Sequence, residues 1–284
     1  MARRTDPVDD LQLALSAVRE AGRVVMESFR TVQEVRHKSP DQPVTQADLQ
    51  ADALLAERLL SARPDYGWLS EETVDRPDRL SRSRVWVVDP IDGTRSFIAG
   101  YAEFGISVGL IEDAAPVLGV ILNPAREEMF WAVRGGGAFL RCGAGAELRL
   151  RMSEPAPDDR PSLLASRSEI RRGEFHLLEE GHEILELGST AYKMAGVAAG
   201  HGHAFLSRGP KSEWDVAAGV LIVEEAGGVA TDLDGRVLVF NRPDPSIDGI
   251  VVAPPGLHGE LLGLVRGMGA VRPRAAGDGE GGVG

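Results

Sequence analysis

A layered α/β sandwich built from two lobes is the fold class that this sequence predicts, and two patterns predict it. Residues from about 66 to 150 run as short strands divided by turn clusters, behind two long amphipathic helices. After the proline-rich "SEPAPDDRP" the chain alternates strand and helix. A sheet backed by helices, followed by alternating elements, packs as layers around shared cores. A chain of 284 residues is long enough to bury them.

Residues 8–29 place Leu11, Leu15, Val18, Gly22, Val25 and Phe29 on one helical face. A short strand, "VQEVRHK", follows. The stretch "PVTQADLQADALLAERLLSARP" reads as a second helix, capped by Thr45 and ended by Pro64, with an apolar stripe of Leu49, Ala53, Ala56 and Leu60. "RVWVVD", "FGISVGLIE", "PVLGVILN", "EMFWAV" and "GAFLR" then form a largely antiparallel sheet on those helices, turning at "EDAA", "NPAREE" and "RGGG". Strands "SLLAS", "EILELG", "HAFLS" and "GIVVAP" alternate with helices that include "TAYKMAGVAAG" and "WDVAAGVLIVEEAGG", and a C-terminal helix closes the chain. The expected division is an N-terminal lobe over 1–152, a C-terminal lobe over 160–271 and a disordered Gly-rich tail over 272–284.

Composition narrows the function. Hydrophobic residues make up 43% and charged residues 26%, as in ordinary globular proteins. A formal net charge of −12 argues against non-specific binding to nucleic acid or an anionic membrane, since there is no excess of cations to replace counterions. Cys142 is alone, which excludes a disulfide framework and a Cys-based zinc cluster and leaves a packing or surface thiol. The first residues lack the apolar core of a secretory signal, and Glu112, Asp113 and Pro116 interrupt the longest apolar run. No membrane span is expected, and a cytoplasmic location follows. "TDLDGRVLVF" reads as a hairpin turn at Asp234-Gly235, because a calcium loop needs a glutamate near Val239 and Phe240.

The acidic residues carry the chemistry. Asp48, Glu71 with Glu72, Asp89 with Asp92, and Asp215 each have a plain structural reading. Asp48 suits a first helical turn, Asp215 an N-cap, "SEET" a solvated loop and "DPIDG" an ordinary turn. Asp89, however, follows the apolar run "VWVV", and no lysine or arginine lies within "VWVVDPIDG". A carboxylate delivered from the core is costly unless it is paired or holds a cation. Oxygen ligands without cysteine or a histidine triad point to Mg²⁺ or a similar hard cation. Gly93 lets the backbone approach closely, and Thr94 opens a short helix whose N–H groups suit a phosphate. Metal on one side of an ester and a helix start on the other is an arrangement for phosphate hydrolysis.

The ordered set "PVTQAD", "WLSEET", "WVVDPIDGTRSF" and "WDVAAGVLIVEEAGG" resembles the inositol monophosphatase superfamily of lithium-sensitive, Mg²⁺-dependent phosphatases, over residues from about 8 to 266. The resemblance implies an αβαβα sandwich and a role for each matching residue. Glu71, Asp89 and the carbonyl of Ile91 would hold one Mg²⁺. Asp89, Asp92 and Asp215 would hold a second, with a third, weaker ion near Glu71. Glu71 and Thr94 would position the attacking water, and Asp48 would accept a hydrogen bond from Thr94. Gly93 and Thr94, beside Asp92, would present N–H groups to the phosphate of a small-molecule ester. A homodimer is also a family-level expectation.

Flanking residues are similar to the 3'(2'),5'-bisphosphate nucleotidase (CysQ-like) branch. Arg95 follows "DGT", Thr190 precedes Lys193 by three residues, and Arg208 stands where inositol phosphatases tend to carry a glutamate. Lys193 is one of only three lysines, which suggests that a compact point charge was wanted there. The expected reaction converts adenosine 3',5'-bisphosphate to AMP and phosphate. The alternatives are an inositol-1-monophosphatase or another sugar or histidinol phosphate phosphatase, and a non-catalytic partner of the transcription machinery. The complete set Glu71, Asp89, Asp92, Thr94 and Asp215 counts against the last. His201 and His203, at a helix–strand turn, have a structural reading, with an adenine or ribose contact as the alternative.

Overall fold

The computed structural model describes residues 7–39 and 42–268, so the tail read as disordered lies outside the described residues. Helix α1 (Pro7–Ser28) turns Ala14, Leu15, Val18, Ala21 and Val25 inward, close to the face read from its sequence. The strand expected from Val32 begins later and is half of a hairpin, β1 (Val35–Ser39) with β2 (Gln42–Thr45). Helix α2 (Gln46–Ala62) starts at Thr45 as expected, but its buried face is a different one. Leu49 is 37% exposed and Ala53 also faces out, whereas Ala47, Ala51, Leu55 and Leu59 are buried. The inward face also carries Asp48 and Asp52. Thr45 and Thr94 satisfy the first, Ser70 and Thr73 the second. An apolar pattern has no means of registering two carboxylates that turn inward to such donors.

Seven strands make the first sheet, in chain order: β3 (Gly67–Ser70), β4 (Arg84–Asp92), β5 (Gly105–Glu112), β6 (Ala115–Asn123), β7 (Glu128–Val133), β8 (Gly137–Cys142) and the short β9 (Leu148–Arg149). All pairs are antiparallel except β3 with β4. Helix α3 (Thr94–Ile98) interrupts the chain between β4 and β5. The second half then runs β10 (Ser162–Ala165), α4 (Arg167–Arg171), β11 (Glu183–Glu186), α5 (Thr190–Ala198), β12 (Ala204–Ser207) and the two-residue β13 (Lys211–Ser212). It continues through α6 (Glu213–Glu225), β14 (Val229–Thr231), the two-residue β15 (Ser246–Ile247), β16 (Ile250–Ala253) and α7 (Pro255–Gly267). Five of these strands form a mixed sheet in the order β11-β10-β12-β16-β14.

The layers follow from which faces are apolar. Helices α1 and α2 cover one face of the seven-stranded sheet, α5 and α6 lie between the sheets, and α7 packs beyond the five-stranded one. This is the αβαβα sandwich. Helix α6 is apolar nearly all round, as a helix buried between two sheets must be. It reaches the sheet so closely that a Cβ on Gly119 would stand 2.6 Å from the carbonyl oxygen of Ala218. A buried ion cluster ties the first turn of α1 to the start of β4. Asp10 pairs with Arg63 at 2.6 Å and Arg84 at 2.8 Å and accepts from the Tyr66 hydroxyl. Among the described residues no helix is long and apolar enough to cross a membrane.

The phase of α2 is testable by urea denaturation. Leu55→Ala is expected to cost about 2–5 kcal/mol, the usual range for emptying a core site. Leu49→Ala is expected to stay within about 0.5 kcal/mol.

Candidate active site

Alternation along a strand would send Asp89 and Asp92 to opposite faces. Strand β4 avoids this with a bulge. Asp89 lies opposite Ser107 and Asp92 opposite Gly105, so three residue steps on β4 match two on β5. Both carboxylates therefore reach one side, at the end of a strand that is buried throughout. The parallel register of Ser70 with Val88 brings Glu71 alongside, and its N–H donates to the Val88 carbonyl at 3.2 Å. From the opposite layer, α6 contributes Asp215. It is not the N-cap expected from the sequence. Ser212 holds that place, and Asp215 reaches back from the third helical position to accept the Ser212 N–H at 2.8 Å. One oxygen each from Asp89, Asp92 and Asp215 lie within 4.8 Å of one another.

Chain termini of helices surround this cluster. Gly93, at φ +93°, opens α3; a Cβ there would stand 3.0 Å from the Glu103 carbonyl, so glycine is required by both conformation and space. Thr94 donates through its hydroxyl to Asp48 Oδ1 at 3.1 Å or to the Ile91 carbonyl at 3.0 Å, while Thr45 donates to Asp48 Oδ2 from its hydroxyl and its N–H. Ser189, the N-cap of α5, donates its hydroxyl to Asp92 Oδ2, and the Ala191 N–H donates to the same oxygen, each at 2.5 Å.

Burial dominates the proton affinities. It pushes Asp89 well above the usual carboxylate range, helped by the charges of Glu71, Asp92 and Asp215. Asp215 is pushed up to about 7 by burial and by Asp92. Burial also raises Asp92, against the pull of Ser189, the Ala191 N–H and Lys193, and raises Asp48 against its threonine donors. Buried, mutually repelling carboxylates, with no arginine or lysine among the described residues bonded to Asp89 or Asp215, fit a hard divalent cation. Glu71 differs: Lys38, from the β1–β2 hairpin, lies 2.8 Å from both Glu71 Oε1 and Glu72 Oε1. Burial pushes Glu72 up to about 7 despite that ammonium.

The cluster floors a cleft of about 630 Å³, and the structure sorts the expected substrate residues. Gly93, Thr94, Arg95, Thr190 and Lys193 line it together with Glu71, Asp89, Asp92 and Asp215. Arg208 does not; its guanidinium donates to the carbonyl of Met268, past the end of α7. Lys193 is 1% exposed and stands 3.6 Å from Glu169, over the ring of Phe205. Glu169 also takes Lys211 at 3.5 Å and the hydroxyls of Ser166 and Ser207. Burial raises Glu169, but Lys193, Lys211 and the two serines outweigh it and hold the carboxyl well below its usual range. His203 lies elsewhere and bonds Ser162. Lys38, Glu169, Ser189 and the cleft residues Tyr101, Arg167 and Arg171 were not singled out by the sequence. Of these only Glu169 had a legible signal, the Ser-x-x-Glu capping box of "SRSE".

The sequence profile of the Inositol monophosphatase family matches residues 6–269. The chain belongs to that family. It is 36% identical over 235 residues to inositol-1-monophosphatase of Rhizobium meliloti, covering 79% of this chain and 86% of that protein. It is 34% identical over 237 residues to the 3'(2'),5'-bisphosphate nucleotidase CysQ of Salmonella typhimurium, covering 81% and 93%. The solved inositol monophosphatase of Thermotoga maritima superposes with a TM-score of 0.80 at 29% identity, over 91% of this chain and 97% of that one. As a family member the chain is a metal-dependent phosphomonoester hydrolase, and Asp89, Asp92 and Asp215 form an acidic cluster with the spacing a metal ion needs.

Raised carboxyl groups set a pH dependence. The folded state keeps protons that the unfolded chain releases above its ordinary carboxylate range near pH 4, so stability falls as pH climbs from there toward about 7, where Asp215 titrates. A divalent cation bound by these carboxylates would remove that loss. The melting-temperature gap between protein in Mg²⁺ and protein in EDTA is therefore expected to widen from pH 5 to pH 8. A gap constant with pH would contradict this account.

Proposed function

We propose that this family member is a Mg²⁺-dependent phosphatase of bisphosphorylated nucleotides, converting adenosine 3',5'-bisphosphate to AMP and phosphate. The observation that carries the substrate is the cationic wall of the cleft. Arg95, Arg167, Arg171, Arg172, Lys193 and Lys211 line the same cleft as the carboxylates, in a chain of net charge −12, with Arg167 paired to Glu103 and Glu186 and Arg172 to Glu174. A monophosphate needs neutralising at one end only; a wall this basic suits a second anionic group. Lys193 and Lys211 share the single carboxylate of Glu169, which leaves that cluster with a net positive charge. Lys193, being buried, acts from behind the wall as a fixed charge. Arg171 is exposed on the cleft and has no ion-pair partner among the described residues.

In this reading Glu71, Asp89, the Ile91 carbonyl, Asp92 and Asp215 hold two or three Mg²⁺ ions. Bound there, the metal supplies an acidified water and charge stabilisation for the leaving oxygen. The chain's own groups do the rest. Asp48 fixes the Thr94 hydroxyl, so that Thr94 and Glu71 orient the attacking water. The N–H groups of Gly93 and Thr94 face the phosphate. Ser189 and the Ala191 N–H hold Asp92 in the rotamer that faces the cluster. A second reading, an inositol-1-phosphate phosphatase, is favoured by the 36% identity to the Rhizobium enzyme over the 34% to the Salmonella nucleotidase. So small a difference does not outweigh the basic wall.

Phosphate release under matched conditions tests both. The kcat/KM for adenosine 3',5'-bisphosphate is expected to exceed that for inositol 1-phosphate, and the reverse order would install the second reading. EDTA and Asp89→Asn are each expected to lower turnover more than about 100-fold, beyond the loss of a supporting outer residue. Arg171→Ala is expected to raise KM for the bisphosphate about two- to tenfold with kcat unchanged, since it touches only the non-reacting end.

A further inference from the structure

One aromatic ring stands in the open on the lining of the cleft. Tyr101 follows α3 and is 48% exposed, and it lines the same cleft as Glu71 and Asp92. Its backbone is held by an N–H donated to the Ser96 carbonyl at 2.9 Å. The guanidinium of Arg167 lies over the ring, 4.2 Å from the centroid. Arg167 is itself fixed at its edge. Two of its nitrogens donate to the carboxylate of Glu103 at 2.7 and 3.1 Å, and Nε meets Glu186 at 2.6 Å. Glu103 also accepts the Gly188 N–H at 2.8 Å, one residue before Ser189, which bonds Asp92.

A guanidinium whose edge is occupied by carboxylates has only its faces left for a ligand. One face rests on Tyr101, so the pair presents flat, weakly hydrated surfaces on the wall of a polar cleft. Such surfaces suit a planar heteroaromatic group, because guanidinium planes and aromatic rings both stack on bases. A sugar or polyol alone offers no such plane. Were the stack purely structural, the bidentate pair with Glu103 would already fix Arg167, and an exposed tyrosine would add little.

We propose that Tyr101, with Arg167 laid on its ring, is the platform that receives the base of a nucleotide while its phosphate sits at the carboxylate floor. This rests on the phosphatase reading of the cleft and adds the part of the substrate that neither the acidic cluster nor the basic wall selects. Tyr101 is a specificity-determining residue, placed away from the reacting atoms.

The test uses a ligand pair that differs by adenine alone. Calorimetry of the full chain in Mg²⁺ compares AMP with ribose 5-phosphate, and stacking of one base is expected to favour AMP about 5- to 100-fold. Tyr101→Ala should bring that ratio close to one by weakening AMP only, and Tyr101→Phe should keep it. Equal affinity for the two ligands in the unaltered protein overturns the platform, as does no AMP binding at millimolar concentration. A base preference that survives Tyr101→Ala also overturns it, placing the base elsewhere. If the protein shows the preference but releases no phosphate from adenosine 3',5'-bisphosphate, the substrate assignment fails and the platform stands.

Discussion

Three carboxylates with oxygens inside 4.8 Å of one another, two of them almost wholly buried, set the terms for the rest of the structure. Their repulsion and desolvation act against folding, and in a low-dielectric interior such charges are far more costly than at the surface. The fold brings partial positive charge to them, and among the described residues no basic side chain is bonded to Asp89 or Asp215. Helices α3, α4, α5 and α6 begin at this one cleft, and the first turn of α2 reaches it through the Asp48–Thr94 hydrogen bond. Their N-terminal N–H groups and macrodipoles favour anions. The layered architecture makes this convergence possible, since it stacks helix starts from three layers over the end of β4.

The same sequence device recurs at three of those starts. Thr45 with Asp48, Ser166 with Glu169 and Ser212 with Asp215 are capping boxes, in which the carboxylate at the third helical position accepts the N–H of the cap residue. Each acid gives one oxygen to its own helix and turns the other outward to a functional partner. For Asp48 that partner is Thr94, for Glu169 it is Ser207 and a lysine, and for Asp215 it is the acidic cluster. Stability and site geometry are thus joined in single side chains. Replacing any of the three disturbs a helix end and the cleft together, which complicates reading such variants as purely catalytic.

The αβαβα layering and the family were legible because their signals are local. Apolar runs mark the strands, and Asp89, Asp92 and Thr94 sit within six residues. What escaped is non-local or depends on phase. Nothing in "DPID" announces the bulge that turns Asp89 and Asp92 to the same side. Helix α2 buries a stripe that includes Asp48 and Asp52, so a search for apolar residues chose Leu49 and Ala53 on the wrong face. Arg208 and Lys211 are near neighbours in sequence, yet one bonds the end of α7 and the other enters the cleft. Ser189 meets Asp92, and Arg167 meets Glu103, only after the two sheets have packed together. Side-chain direction at such places is decided by tertiary contacts that no local pattern encodes.

The distribution of lysine has a practical side. Among 31 basic residues the chain has only Lys38, Lys193 and Lys211 as lysines. The first is bonded to Glu71, and the other two line the cleft. Every other side-chain cation is a guanidinium, inert toward acylating reagents. Apart from the N-terminal amine, amine-directed labels, crosslinkers and immobilisation surfaces therefore have no neutral place to attach. Lysine modification that is harmless for most proteins would, for this one, fall on Lys211 in the cleft or on Lys38 beside Glu71, since Lys193 is buried.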